Sequence, residues 1–101
     1  MSVDTAINDN GVFTIAIEGD FLFSSLNEFT KAYEKKEAES AKEIVIDMKK
    51  ALTVDSSALG MLLNMQQHLN KADRDIKIIN CNKFITNIFN ITSFSKKFTI
   101  E

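Results

Sequence analysis

The chain has 101 residues, 45% hydrophobic and 26% charged, with a formal net charge of −2 and a pI of about 5.4. That is the size and balance of one folded domain spanning residues 1–101, and it excludes a disordered chain. No basic cluster is present, which argues against direct nucleic-acid binding, and the single cysteine, Cys81, excludes an intramolecular disulfide.

The N-terminus lacks a basic stretch followed by an apolar one, and no apolar run approaches the ~20 residues that span a bilayer. The expected location is cytoplasmic, with no membrane span.

Two β-rich runs open the chain, Val3 to Ile7 and Val12 to Glu18, separated by Asn8-Asp9-Asn10-Gly11. Asn-Gly favours a tight hairpin turn, and period-two alternation turns Phe13, Ile15 and Ile17 toward a core. After Gly19 the pattern becomes helical. Ser25 followed by Glu28 reads as a capping box, with Leu26, Phe29 and Tyr33 at helical spacing. The charged run Glu34 to Ser40 reads as a solvated helix end and loop. Glu43 to Met48 is a short apolar strand of the kind buried on both faces of a parallel sheet. A helix is predicted from Ser56 to Asn70, a strand over Ile76 to Ile79, a helix from near Asn82 with Phe84, Ile85, Ile88 and Phe89, and an edge strand at Phe98 to Ile100.

This β-β-α-β-α-β-α-β order implies an α/β fold. A mostly parallel sheet carries an N-terminal antiparallel hairpin strand, with helices packed on it.

Catalysis has no support in these residues. The only histidine is His68, no metal-ligand cluster or Gly-rich phosphate loop occurs, and no cofactor is expected. Ser56 and His68 are twelve positions apart on one predicted helix, roughly 18 Å along its axis. They cannot form a nucleophile–base pair. A Ser–Lys pair with Lys49 or Lys50 lacks any oxyanion-hole signature. The expectation is a protein that is not an enzyme.

The informative segment runs from Ile44-Val-Ile-Asp47 through a loop to Val54-Asp55-Ser56-Ser57-Ala58-Leu59-Gly60-Met61-Leu62-Leu63. Asp55 is a natural N-cap, since its carboxylate can accept from first-turn amides. On composition and spacing alone, Ser56 and Ser57 are small polar residues of a capped turn. As a motif, however, this strand, loop and D-S-S-A-L-G helix resemble the hallmark of the STAS domain family, whose best-known members are anti-sigma factor antagonists. The resemblance extends back to Gly19-Asp20 and forward to Ile88-Phe89-Asn90-Ile91-Thr92-Ser93-Phe94, where the family has an apolar helix ending in a Thr-Gly-Leu turn. Ala58 stands where the family usually has glycine, and one acid of its Gly-Glu-x-Asp pattern is missing after Gly19.

The resemblance implies a phosphorylation-controlled binding switch. Its acceptor is the first serine, Ser56, with Ser57 the alternative, and Asp55, Asp47 and Gly60 support the site. The unphosphorylated form sequesters an anti-sigma factor that is also a serine kinase of histidine-kinase-like type, freeing a sigma factor and so regulating transcription. A PP2C-type phosphatase resets the switch. Asp20 is the acid before the first helix that this resemblance places at the partner surface. An alternative within the family is a regulatory subunit of an ABC transporter or a signalling scaffold.

On the long helix Leu59, Leu62, Leu63 and Leu69 form an apolar stripe, the expected core face. Ser57, Met61, Asn64 and His68 lie on another side, which reads either as a partner surface or as a plain solvated face. Helical geometry sets Ser56 on the azimuth of Leu59 and Leu63, and Ser57 nearer the open side. It therefore does not choose Ser56. Cys81, after a buried strand, reads as a small core or junction residue.

Overall fold

The computed structural model describes residues 2–69 and 74–101. Five strands form one sheet in sequence order: β1 (Ser2–Ile7), β2 (Val12–Phe21), β3 (Glu43–Val54), β4 (Ile76–Ile79) and β5 (Thr99–Ile100). β1 pairs antiparallel with β2, and the remaining pairings are parallel. Between the strands lie α1 (Leu26–Tyr33), α2 (Lys36–Ser40), α3 (Ser56–Leu69) and α4 (Lys83–Ile91). The predicted last residue of the long helix, Asn70, lies outside the described residues.

The hairpin closes as the sequence implies. The Asn8 side chain accepts from the Asn10 and Val12 amides at 2.9 and 3.0 Å, and Gly11 takes φ +81°. Every parallel crossover steps the same way along the sheet, so right-handed connections set all the helices on one face. Burial follows that rule. Phe13, Ile15 and Ile17 of β2 and Ile44, Ile46 and Met48 of β3 are all 0–1% exposed, whereas Glu18, Lys49 and Lys50 are exposed. The expectation of a strand buried on both faces is therefore corrected: β3 is covered by helices on one side, and Val45 on the other is buried by its strand neighbours.

β3 is also longer than the six residues its apolar run suggests. It continues to Val54 with two register shifts against β2, between Ala16 and Glu18 and between Gly19 and Asp20. Each shift inserts a residue on β3, and Gly19, at φ +90°, supplies the backbone freedom beside the second. The charged run after α1 is not a plain loop: α2 forms within it and buries Ala38 completely.

Arg74 fastens the ends of two helices. Its Nε and Nη2 donate to the Leu69 carbonyl at 3.0 and 2.7 Å, and its Nη1 donates to the Ala38, Glu39 and Ala41 carbonyls at 2.8–2.9 Å. Carbonyls left open at helix C-termini are thus satisfied by one guanidinium. At the far end Asn82 caps α4, its Oδ1 accepting from the Ile85 amide at 2.8 Å.

Candidate functional site

Parallel strands point their C-terminal ends toward one rim of the sheet, and α3 starts there. Asp55 bridges β3 and α3. Its Oδ1 accepts from the Ala58 amide at 2.8 Å, and its Oδ2 accepts from the Phe23 amide at 3.2 Å. One oxygen caps the helix and the other fixes the turn that follows β2. The Asp55 amide in turn donates to the Phe21 carbonyl at 3.4 Å. Both oxygens face donors, which sets the next residue, Ser56, at the first position of a rigid helix end.

The facing turn is held from within. Ser25 is 1% exposed; its Oγ accepts from the Leu22 amide at 3.1 Å and donates to the Asp20 carbonyl at 3.5 Å. The predicted Ser25–Glu28 capping box is not formed. A 3-10 turn over Phe23–Ser25 precedes α1, so Ser25 already has helical dihedrals and its hydroxyl turns back into the turn.

Ser56 is exposed and Ser57 half-buried. Among the described residues neither hydroxyl makes a hydrogen bond. The buried stripe of α3 is Ala58, Met61, Leu62, Met65 and Leu69, so the helix is rotated from the predicted stripe, and Leu59 and Leu63 are only partly buried. This rotation corrects the reading that put Met61 and Ser57 on an open side. Met61 is 4% exposed and belongs to the core, and Ser57, four residues before it, turns the same way. The same rotation turns Ser56 outward. Asn64 remains exposed, two helical turns beyond Ser56.

His68 is exposed, but its ring packs on buried Tyr33 of α1, with centroids 5.4 Å apart. Tyr33 continues through Phe29 to Phe21, forming a ladder of rings with centroids 5.0–5.5 Å apart. His68 therefore serves the α1–α3 contact at the far end of the helix from Ser56.

Asp47 is also distant. Six residues of β3 lie between it and Val54, roughly 20 Å of strand. Its Oδ1 accepts from the Lys49 amide at 2.9 Å and from Asn80 Nδ2 at 3.0 Å. The assignment of Asp47 as a support of the phosphorylation site is corrected accordingly: it holds the β3–β4 junction. Asp20 is exposed at the end of β2, opposite Thr53 and one residue from the Phe21–Val54 pair, and so lies on the same rim as Asp55. Gly60 follows Ser56 by one helical turn, and a Cβ placed there would meet nothing within 4 Å.

Residues 4–101 match the model of the STAS domain family. The chain belongs to that family. This STAS domain is 36% identical over 93 residues to a STAS-domain containing protein of Pseudomonas aeruginosa, covering 92% of this chain and 91% of that one. Among solved structures it resembles an anti-sigma factor antagonist from Mycobacterium paratuberculosis (TM-score 0.81, 20% identity, 98% of this chain and 85% of that one). It also resembles a sulfate transporter family protein from Wolinella succinogenes (TM-score 0.76, 17% identity, 91% and 74%). A third neighbour is the anti-sigma factor antagonist SpoIIAA in its unphosphorylated form (TM-score 0.65, 13% identity, 89% and 83%). At these identities the structural likenesses show the shared fold.

No helix among the described residues of this STAS domain is long and apolar enough to cross a membrane. None of its described residues form a group of three or more metal-ligating side chains. Burial pushes the Cys81 thiol from 9.0 up to about 11. That keeps it protonated and unreactive at neutral pH.

Proposed function

We propose that this STAS domain is an anti-sigma factor antagonist whose binding is switched by phosphorylation of Ser56. The observation that carries the proposal is the rotation of α3, which exposes Ser56 and half-buries Ser57 at a helix end locked by Asp55. The likeness to antagonists in fold supports the same reading.

The physics suits a switch. A phosphate adds about −1.5 to −2 charges at neutral pH. Within the chain it sits at a helix N-terminus, favourable by about 0.3–1 kcal/mol, and the Asp55 carboxylate opposes it. These small effects offset one another, so the fold tolerates the modification. At an interface, an unpaired charge excluded from water costs several kcal/mol, and a tenfold loss of affinity needs only about 1.4 kcal/mol. Phosphorylation therefore acts on binding. In this reading the unphosphorylated domain holds an anti-sigma factor that is also its serine kinase, of histidine-kinase-like type. A sigma factor is then released, and a PP2C-type phosphatase restores the binding form.

Incubation with the cognate kinase and ATP, followed by intact-mass analysis, tests the acceptor. The wild type and Ser57→Ala gain one phosphate, and Ser56→Ala gains none. Phosphate found on Ser57 of the wild type, or still acquired by Ser56→Ala, contradicts the proposal.

A further inference from the structure

α4 carries more apolar residues than its buried face uses. Ile85 and Phe89 belong to the core. Phe84, Ile88 and Ile91 recur at a spacing of four and three, which sets them in a second row along the same helix. Phe84 is 53% exposed and Ile91 82%, more than any other large apolar side chain among the described residues, and Ile88 is half-buried. Leu52, 66% exposed, extends the row at its Phe84 end, because Asn82, the cap of α4, donates through Nδ2 to the Leu52 carbonyl at 3.0 Å. Apolar side chains scattered singly over a surface are ordinary; a continuous row of them marks an interaction site.

The charges of α4 say what covers the row. A helix dipole favours acids in the first turn and bases in the last. α4 opens with Lys83, has no acid in its first turn and no base in its last. Its single charge therefore sits at the end that its own dipole disfavours. A second α4 running antiparallel complements both ends at once. With Phe84 of one copy on Ile91 of the other, the two Ile88 side chains flank a twofold axis. Lys83 of each copy then meets the other helix at its C-cap, Thr92, the negative end of that dipole. The two Lys83 side chains lie at opposite ends of the pair and do not repel each other. Lys96 and Lys97, beyond the end of α4, line a cavity with Gln66 and Asp75 and lie outside the row.

We infer that α4 is a self-association face: two copies of this domain pair through Phe84, Ile88, Ile91 and Leu52, with their α4 helices antiparallel. The contact is isologous, each copy offering the same patch to the other, and it closes at two subunits. A nine-residue helix covers less than the ~800 Å² per partner of a standard interface. The dimer is accordingly weak, with a Kd of about 10–1,000 µM.

Sedimentation equilibrium of the full chain, at concentrations from about 10 µM to about 1 mM, reads the association. Thermal denaturation of dilute samples reads the stability of the monomer. The wild type is expected to dimerise within that range. Ile91→Lys puts a base where α4's own dipole favours one, and Lys83→Glu puts an acid where it favours one. Each is expected to keep or raise Tm while weakening the dimer about tenfold. Ile7→Glu, at an exposed position on β1 at the opposite edge of the sheet from β5, is expected to dimerise like the wild type. A wild type still monomeric at the upper limit overturns the pairing, including one that instead cosediments with phosphatidylglycerol vesicles through Ile91. A dimer that survives Ile91→Lys, is strengthened by Lys83→Glu, or is abolished by Ile7→Glu overturns it as well. So does a fall in Tm in both α4 variants, because the row would then serve the fold of the monomer.

Discussion

The Ser25 hydroxyl holds together the turn that meets Asp55, accepting from the Leu22 amide and donating to the Asp20 carbonyl in a site 1% exposed. Ser25→Ala leaves the part-buried Leu22 amide without its partner and is expected to cost about 1–3 kcal/mol in chemical denaturation. An unchanged midpoint and slope would show that the turn stands without it. Cys81 carries a pH signature. Its thiol stays protonated in the fold up to about 11 and ionises near 9.0 when unfolded. The stability this difference contributes is complete below pH 9 and declines between about pH 9 and 11, because only the unfolded chain sheds the proton there. A Cys81→Ser variant lacks that decline, so parallel stability profiles of the two proteins would contradict it. Ser-x-x-Glu is a capping pattern, and on that local signal Ser25 is expected to be a helix cap. No local pattern reveals that a 3-10 turn comes first and redirects the hydroxyl.

At the scale of elements, α3 separates what the sequence could and could not convey. Its Asp55 cap is local, one side chain and one amide three residues on, and it formed as expected. Its rotation is not local. Leu59, Met61, Leu62, Leu63, Met65 and Leu69 surround so much of the helix that several apolar stripes can be drawn. The sheet and α1 decide among them, burying Met61 and Met65 and leaving Leu59 and Leu63 at the margin. Met61→Ala should therefore cost about 2–5 kcal/mol, as a deletion from a packed core does. Asn64→Ala should stay within about 0.5 kcal/mol while weakening kinase binding. Thermal denaturation of both tests this, and equal melting temperatures would contradict the rotation. Arg74 is the other element-scale device. Its carbonyl partners come from α2 and the end of α3, up to thirty-six residues away, and no sequence spacing announces them. Arg74→Ala is expected to destabilise the domain by about 2–3 kcal/mol, read from the same melts.

For the whole molecule, the strand–helix alternation and the Asn8–Gly11 turn made the fold legible, since each depends on periodicity and turn chemistry. The reach of β3 was not legible, because Lys49 and Lys50 interrupt its apolar run while the backbone ladder continues through two bulges. That extension moved Asp47 away from Ser56 and left Asp55 and Asp20 as the acids at the rim. The resulting architecture keeps every helix on one face of the sheet and carries Ser56 at its edge, on a helix end that Asp55 caps with one oxygen and ties to the turn after β2 with the other. A rigid mount of this kind lets a modification alter a surface without altering the fold beneath it. The central claim is that phosphate on Ser56 changes binding and not stability. The most direct measurement pairs calorimetric titration of the anti-sigma factor kinase, without ATP, with thermal denaturation of the same two samples, the domain unphosphorylated and stoichiometrically phosphorylated on Ser56. The account predicts affinity at least tenfold lower for the phosphorylated form and melting temperatures within about 4 °C of each other. Equal affinities, or a phosphorylated domain that loses binding only because it unfolds, would contradict it.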